Sequence, residues 1–91
     1  MRIDIAARFG DNLAVCRKRA GISQEELSVR ASLHRTEVSQ LERGLRLPRI
    51  DTLLKLVGSL EISADALLDG LEWRPGGMVY GRFRLAGEDG P

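Results

Sequence analysis

The 91-residue chain has one cysteine, four aromatic residues and no long apolar run. A single cysteine excludes an intrachain disulfide framework and a zinc site built from several cysteines. The longest apolar run is Leu13–Cys16, whereas a membrane-spanning helix needs about 20 apolar residues and a secretory signal about 7–15. We therefore expect a soluble cytoplasmic protein that consists of one small domain with a single modest core.

Groups that carry catalysis are equally scarce. Cys16 and His34 are the only cysteine and histidine, and Cys16 falls on the apolar stripe of the predicted first helix, where a thiol belongs to the core. The sequence contains no glycine-rich phosphate loop, catalytic carboxylate pair or metal-ligand spacing. We expect neither an enzyme nor a bound cofactor or metal.

The small net charge of +1 hides two halves of opposite sign. Residues 1–50 carry a net charge of +4, whereas residues 51–91 carry −3. A basic half joined to an acidic half predicts one side that faces a polyanion and another that does not.

Capping signals predict five helices before residue 70. Ser23 and Glu26 have the spacing of a capping box, and Gly21 and Gly44 stand where left-handed glycines end helices. Gly10 weakens the first helix by about 1 kcal/mol. The predicted helices start at the Asp4 cap and then cover Gln24–Ala31, Arg35–Arg43, Ile50–Leu60 and a segment from Ser63 to Gly70.

The last part of the chain has a different character, so we divide it into residues 1–72, a helical domain, and residues 73–91, a C-terminal arm. Three of the four aromatic residues lie in the arm. Pro75, Gly76 and Gly77 predict a turn, and the alternation over 78–85 permits one short strand. Residues 87–91 are expected to be a frayed end.

Two short helices joined by three residues have the length of a helix-turn-helix. On a helical projection, one face of the second of these helices is polar and the opposite face carries Val38 and Leu41. The polar face comprises Arg35, Thr36, Ser39, Gln40 and Arg43. Such side chains read base edges in the major groove, although an ordinary solvated face has the same composition.

Many positions agree in order and spacing with one known family. They are Arg17, Gly21–Leu27, Ala31, Val38–Gly44, Pro48 and Asp51–Leu54. Over roughly residues 6–70 the chain resembles the lambda repressor/Cro-like, or XRE, helix-turn-helix family. The resemblance implies an all-α, five-helix fold that binds double-stranded DNA through its second and third helices.

The resemblance also implies roles for individual residues. Base reading falls to Arg35, Thr36 and Gln40. Contacts to the DNA backbone fall to Gln24, Ser39, Arg43, Arg46 and Arg49. An internal ion pair joins Arg17 to Glu42. Its loss is expected to cost about 3–5 kcal/mol if the pair is buried and less than about 1 kcal/mol if it is exposed.

One departure from the family concerns His34, which stands where a serine or threonine usually caps the third helix. Histidine is a poor cap. Either Ser32 takes over the cap, or His34 approaches a phosphate, or it is a surface histidine without a special role.

A single helix-turn-helix reads few base pairs, so we expect a homodimer on a palindromic operator. The fourth and fifth helices carry more apolar residues than one buried face would use, which favours self-association. A large core within one chain explains them equally well. The arm is either a dimerisation strand, a segment folded onto its own helices, or disordered.

We therefore expect a transcriptional regulator that binds specific double-stranded DNA, and two alternatives to it remain open. The first is an antitoxin, in which residues 73–91 bind a toxin partner while the helix-turn-helix regulates its own operon. The second is a restriction–modification controller, which is also a small DNA-binding dimer.

Overall fold

The computed structural model describes residues 4–87 and confirms the five predicted helices. A two-stranded antiparallel sheet follows them. The elements are α1 (Ile5–Arg19), α2 (Gln24–Ala31), α3 (Arg35–Glu42), α4 (Ile50–Leu60), α5 (Ala64–Leu68), β1 (Leu71–Arg74) and β2 (Arg82–Leu85). No helix within residues 4–87 has the length and apolar character to cross a membrane.

The helix boundaries follow the capping signals. The Asp4 carboxylate accepts a hydrogen bond from the backbone N–H of Ala7 at 3.0 Å, and the Ser23 hydroxyl accepts one from Glu26 at 3.0 Å. Gly44, at φ +71°, follows the last residues of α3 in the left-handed region. Each cap satisfies backbone groups that a helix end leaves free, so these elements are defined locally.

The core lies where the helices converge. Its buried hydrophobic members are Phe9, Leu13, Cys16, Ile22, Leu27, Ala31, Val38, Leu41, Leu56, Leu60 and Leu67. Three of the four residues predicted to form the apolar stripe of α1, Phe9, Leu13 and Cys16, are thus in the core. The fourth, Ala20, follows the end of the helix and is exposed. Ile22 before the Ser23 cap and Leu27 after it both join this core, as expected for a hydrophobic staple.

The arm departs from the sequence prediction. At most one strand was predicted, over 78–85, but the structure has two, with Leu71 paired to Leu85 and Arg74 to Arg82. Residues 75–81 form the connection, because their glycines favour a turn over a paired strand. β1 begins at Leu71, which packs against the core, and the predicted frayed end lies outside the described residues apart from Gly87.

Candidate nucleic-acid interface

α3 turns a polar face away from the core. That face carries the five side chains singled out in the sequence: Arg35, Thr36, Ser39, Gln40 and Arg43. Three of them are exposed, whereas Ser39 and Gln40 are half-buried. Val38 and Leu41, on the other side, are completely buried. An α-helix with its side chains is about 10–12 Å in diameter, which fits the roughly 12 Å width of a major groove.

The start of α3 is stabilised by Glu37 rather than by a serine cap. His34 occupies the N-cap position, and its backbone N–H donates to Glu37 Oε1 at 3.4 Å. Ser32 instead ends α2 in the left-handed conformation, at φ +54°, so the idea that Ser32 caps α3 is wrong. The His34 side chain is exposed, which leaves its two other predicted roles open.

The predicted ion-pair partners Arg17 and Glu42 meet inside the protein. Arg17 Nε lies 2.6 Å from Glu42 Oε2, and Arg17 Nη2 lies 3.0 Å from Glu42 Oε1. The side chains are only 12% and 7% exposed, respectively. Such a bidentate pair fixes distance and orientation together, so it holds the end of α3 against α1.

The environment keeps Arg17 charged. Hydrogen bonding to the Glu42 carboxylate raises the pKa of Arg17, helped by charge attraction and opposed by burial. A raised pKa stabilises the fold at every pH below the ordinary arginine value, and this contribution is lost only when the pH rises through the raised pKa. The arginine therefore does not titrate in the neutral range.

Gln24 joins the start of α2 to the same ion pair. Its Nε2 donates to Glu42 Oε1 at 3.0 Å, while Arg17 Nη1 donates to the Ile22 carbonyl at 2.9 Å. The glutamine side chain is half-buried. These bonds tie the N-terminus of α2 and the C-terminus of α3 to one arginine of α1.

Gly10 explains how α1 packs so close to α3. A Cβ atom added at Gly10 would lie 2.5 Å from the Leu41 carbonyl oxygen and 2.6 Å from that of Glu42. Only glycine allows this approach between the two backbones. Gly10, whose low helix propensity counts against α1 in the sequence, therefore allows close packing behind the exposed face of α3.

The loop after α3 supplies two further cations. Arg46 Nη2 lies 3.2 Å from Glu37 Oε2, and Arg49 Nε lies 3.6 Å from Asp51 Oδ1. The Arg49 side chain is 88% exposed, so this pair is weak. Glu37 thus contacts both the start of α3 and an arginine predicted to bind phosphate.

Sequence reasoning missed two of these structural roles. For Glu37 the signal was present, because a glutamate three residues after an N-cap can return to the cap backbone. For Gly10 there was none, since the two residues it contacts, Leu41 and Glu42, are more than 30 positions away in the chain. Within residues 4–87 no group of three or more histidine, cysteine or acidic side chains is placed to hold a metal ion.

The comparison with protein families settles the classification. The family model HTH_3, described as helix-turn-helix, matches residues 13–67. The chain belongs to the HTH_3 family. The matched segment begins within α1 and ends within α5, so both helices of the helix-turn-helix lie inside it and the two strands lie outside.

Two curated relatives of this HTH_3 protein match over most of their lengths. An uncharacterised HTH-type transcriptional regulator, y4dJ of Sinorhizobium fredii, is 33% identical over 82% of this chain and 97% of its own. The control protein C.BamHI of Bacillus amyloliquefaciens is 34% identical over 76% of this chain and 86% of its own. Both relatives are therefore covered almost end to end.

Solved structures of the same fold are also similar. The restriction–modification controller protein C.AhdI of Aeromonas hydrophila superimposes with a TM-score of 0.66 and 35% identity, over 68% of this chain and 94% of that one. SinR, a regulator of biofilm formation solved in complex with DNA, gives 0.64 and 34%, over 67% and 98%. The fold is thus that of lambda-repressor-like regulators.

Proposed function

We propose that this protein is a transcriptional regulator that binds specific double-stranded DNA, with α3 in the major groove. The observation that carries the proposal is the polar, outward face of α3, held from behind by the buried Arg17–Glu42 pair. The relatives are named as transcriptional regulators, and one similar structure is a complex with DNA. This agrees with the net charge of +4 on residues 1–50.

Base reading falls to three side chains of α3. The exposed Arg35 guanidinium has the fork that binds guanine bidentately, the Gln40 amide suits adenine, and the Thr36 methyl suits thymine. These contacts distinguish base pairs, because each pair presents a different pattern of donors, acceptors and methyl groups in the major groove.

A second set of residues binds phosphate and sugar and carries no sequence information. It consists of Gln24, Ser39, Arg43, Arg46 and Arg49. The Gln24 amide already donates to Glu42, so one amide hydrogen and the free backbone N–H groups of the α2 start remain for a phosphate.

The regulator acts as a homodimer on a palindromic operator. One α3 reads only a few base pairs, and two copies related by a two-fold axis place their helices about 34 Å apart, one turn of DNA. Ile50 and Leu54 of α4 support self-association, because they are 71% and 62% exposed.

Selection of bound sites from random duplexes tests the proposal most directly. We expect an inverted repeat with half-sites about one turn of DNA apart. We also expect the logarithm of the affinity to fall linearly with the logarithm of the salt concentration, with a slope of about −0.9 for each phosphate that the protein neutralises. A chain that enriches no sequence and binds no duplex contradicts the proposal.

Arg35→Ala then tests the base-reading assignment. It is expected to lose about 1–3 kcal/mol on the selected site and to relax one base position. Arg30→Ala is the matched control, since Arg30 is an exposed arginine of α2 that pairs with Glu26. If the Arg35 variant binds as tightly as the wild type, this residue does not read a base.

A restriction–modification controller is a narrower candidate within the same function. C.AhdI is named as a restriction–modification controller protein and C.BamHI as a control protein, and this chain matches 94% and 86% of their lengths. Mapping the selected site in its genome tests this idea. A site upstream of a restriction endonuclease gene supports it, and sites confined to other promoters contradict it.

A further inference from the structure

The chain reverses direction after α3 and brings the following loop back along that helix. Gly44 lies in the left-handed region at φ +71°, and the backbone N–H of Leu45 donates to the Gln40 carbonyl at 3.0 Å. Arg46 then reaches the first turn of α3, where its Nη2 lies 3.2 Å from Glu37 Oε2. Although Arg46 belongs to the loop in sequence, its guanidinium therefore lies beside the start of α3.

The Glu37 carboxylate is held from two sides. Its Oε1 accepts a hydrogen bond from the backbone N–H of His34 at 3.4 Å, and its Oε2 accepts one from Arg46. A negative charge in the first turn of a helix is also stabilised by the helix dipole. The Glu37 side chain is 29% exposed and that of Arg46 is 49% exposed, so the acid is the inner member of the pair and the arginine is the outer one.

Arg46 differs in this respect from the other arginines predicted to bind phosphate. Within residues 4–87, Arg43 forms no ion pair, and the Arg49 side chain lies 3.6 Å from Asp51 without a hydrogen bond between them. In this part of the chain, Arg46 alone of the three donates a hydrogen bond to a carboxylate. It is therefore the predicted phosphate contact whose position the protein sets before DNA binds.

The place of Glu37 on α3 fits a supporting role. On a helical projection, Glu37 falls between Gln40 of the polar face and the buried Leu41. A carboxylate at the border of a DNA-binding face repels phosphates, so its charge alone works against binding. The contact with Arg46 compensates that charge, and it gives the carboxylate a function at this border.

We propose that Glu37 is a positioning residue for DNA binding. It holds the Arg46 guanidinium beside α3, so that Arg46 meets a phosphate at the edge of the groove that α3 enters. One N–H of Nη2 serves Glu37, and the four other N–H groups of the guanidinium remain for the phosphate. This inference rests on the proposed function and assigns a role to a residue that itself contacts no DNA.

Positioning strengthens specific binding in two ways. An arginine that is ordered in the free protein loses less conformational freedom when it binds. Phosphate contacts also fix the register of a protein on the duplex, so an arginine tied to α3 links that register to the base-reading side chains of the same helix. Loss of Glu37 is therefore expected to weaken binding to the specific site more than binding to an unrelated duplex.

Glu37→Gln tests this role, because glutamine keeps the length of the side chain and can still accept the His34 N–H, but it lacks the charge that holds Arg46. We measure the affinity for the duplex selected from random sequences and for a shuffled duplex of the same length. The ratio of the two affinities is expected to fall about five- to tenfold. Glu26→Gln is the matched control, since Glu26 forms a similarly exposed pair with Arg30 on α2, and it keeps the wild-type ratio.

A double-mutant cycle with Arg46→Ala separates positioning from a general effect of charge. If Glu37 acts through Arg46, adding Glu37→Gln to the Arg46→Ala variant leaves the affinity ratio unchanged. If the carboxylate only repels DNA, Glu37→Gln raises the affinity for both duplexes by the same factor, whether or not Arg46 is present. Because the pair is partly exposed, its loss is not expected to unfold the protein, and circular dichroism of each variant checks this.

Three results overturn the proposal. They are an unchanged affinity ratio for Glu37→Gln, the same loss of ratio when Arg46 is alanine, and a changed base preference in the sites that the Glu37→Gln variant selects. The third result assigns Glu37 to base reading instead, since a carboxylate can accept a hydrogen bond from cytosine N4. A wild type that binds no duplex contradicts the proposed function itself, so the two failures are distinguishable.

Discussion

The residues from Asp4 to Gly44 bury most of their large hydrophobic side chains, whereas those from Leu45 onward leave most of their large hydrophobic side chains exposed. Within residues 4–87, the first part contributes eight of the eleven buried hydrophobic residues of the core and leaves two large ones exposed. The second part contributes three and exposes ten. The exposed side chains of α3 are polar or cationic.

This difference separates two kinds of recognition on one small protein. The first part is a closed unit with a buried ion pair, and its exposed cations suit a polyanion. The second part completes the same core through Leu56, Leu60 and Leu67, and it also exposes apolar surface of the kind that protein partners cover. Four sets of substitutions test whether the two parts differ in this way.

The largest effect is expected from breaking the buried ion pair in the first part. Arg17→Ala leaves the Glu42 carboxylate, 7% exposed, with only the Gln24 amide, and is expected to cost about 3–5 kcal/mol of unfolding free energy. Urea denaturation measures this cost. Because the pKa of Arg17 is raised, the cost stays constant as the pH goes from neutral to moderately alkaline.

The control for this change is Arg30→Ala. Arg30 also pairs with a glutamate, Glu26, at 2.7 Å, but the pair is about half exposed. Its loss is expected to cost less than about 1 kcal/mol. Equal costs for the two variants would mean that the first part does not depend on its buried charges.

The next effect concerns the contact behind α3. Gly10→Ala places a Cβ atom against two backbone carbonyls, and we expect a loss of about 1–3 kcal/mol despite alanine's higher helix propensity. DNA affinity falls as well, because α3 has to move. Thermal unfolding and duplex titration measure the two effects.

Gly58→Ala in α4 is the matched control for Gly10. A Cβ atom there meets nothing within 4 Å, so the substitution is expected to stabilise the protein by up to about 1 kcal/mol. If both glycine variants gain stability, the close approach of α1 and α3 is not a constraint.

A smaller effect is expected from the loop that joins the two parts. Arg49→Ala removes one predicted phosphate contact, so the slope of log affinity against log salt falls by about 0.9. The loss is the same on every sequence. Lys55→Ala on α4 removes the same charge without changing the slope, and a normal slope for the Arg49 variant would remove this residue from the interface.

The smallest effect on folding is expected from the exposed face of α4. Ile50→Ser and Leu54→Ser replace side chains that are 71% and 62% exposed. Each is expected to change the unfolding free energy of the monomer by less than about 0.5 kcal/mol. Measurement below the dimer dissociation constant checks this, and a cost above about 2 kcal/mol would place these residues in the core.

Much of the first part could be predicted because its signals are local. The Asp4 and Ser23 caps and the glycine after α3 mark helix ends within a few residues of themselves. The outward face of α3 follows from helical periodicity, since Val38 and Leu41 fix which side is buried. The contact roles of that face remain predictions.

The arm was harder to predict because its strands depend on each other. Leu71–Arg74 has no pattern of its own and becomes a strand only by pairing with β2. The alternation of residues 78–85 continues through the connection, so it could not show that the strand begins at Arg82. The reason for Gly10 was also hidden, because it depends on packing across the fold.

The anchoring of α3 from behind has a consequence for how such a protein changes its target. The helix is held through Glu42, which accepts hydrogen bonds from Arg17 and Gln24, and through its main chain, which packs against Gly10. The outward side chains of α3 do not contribute to these contacts. Those outward positions can therefore be exchanged as a set, and the scaffold would carry a new binding preference at little cost in folding.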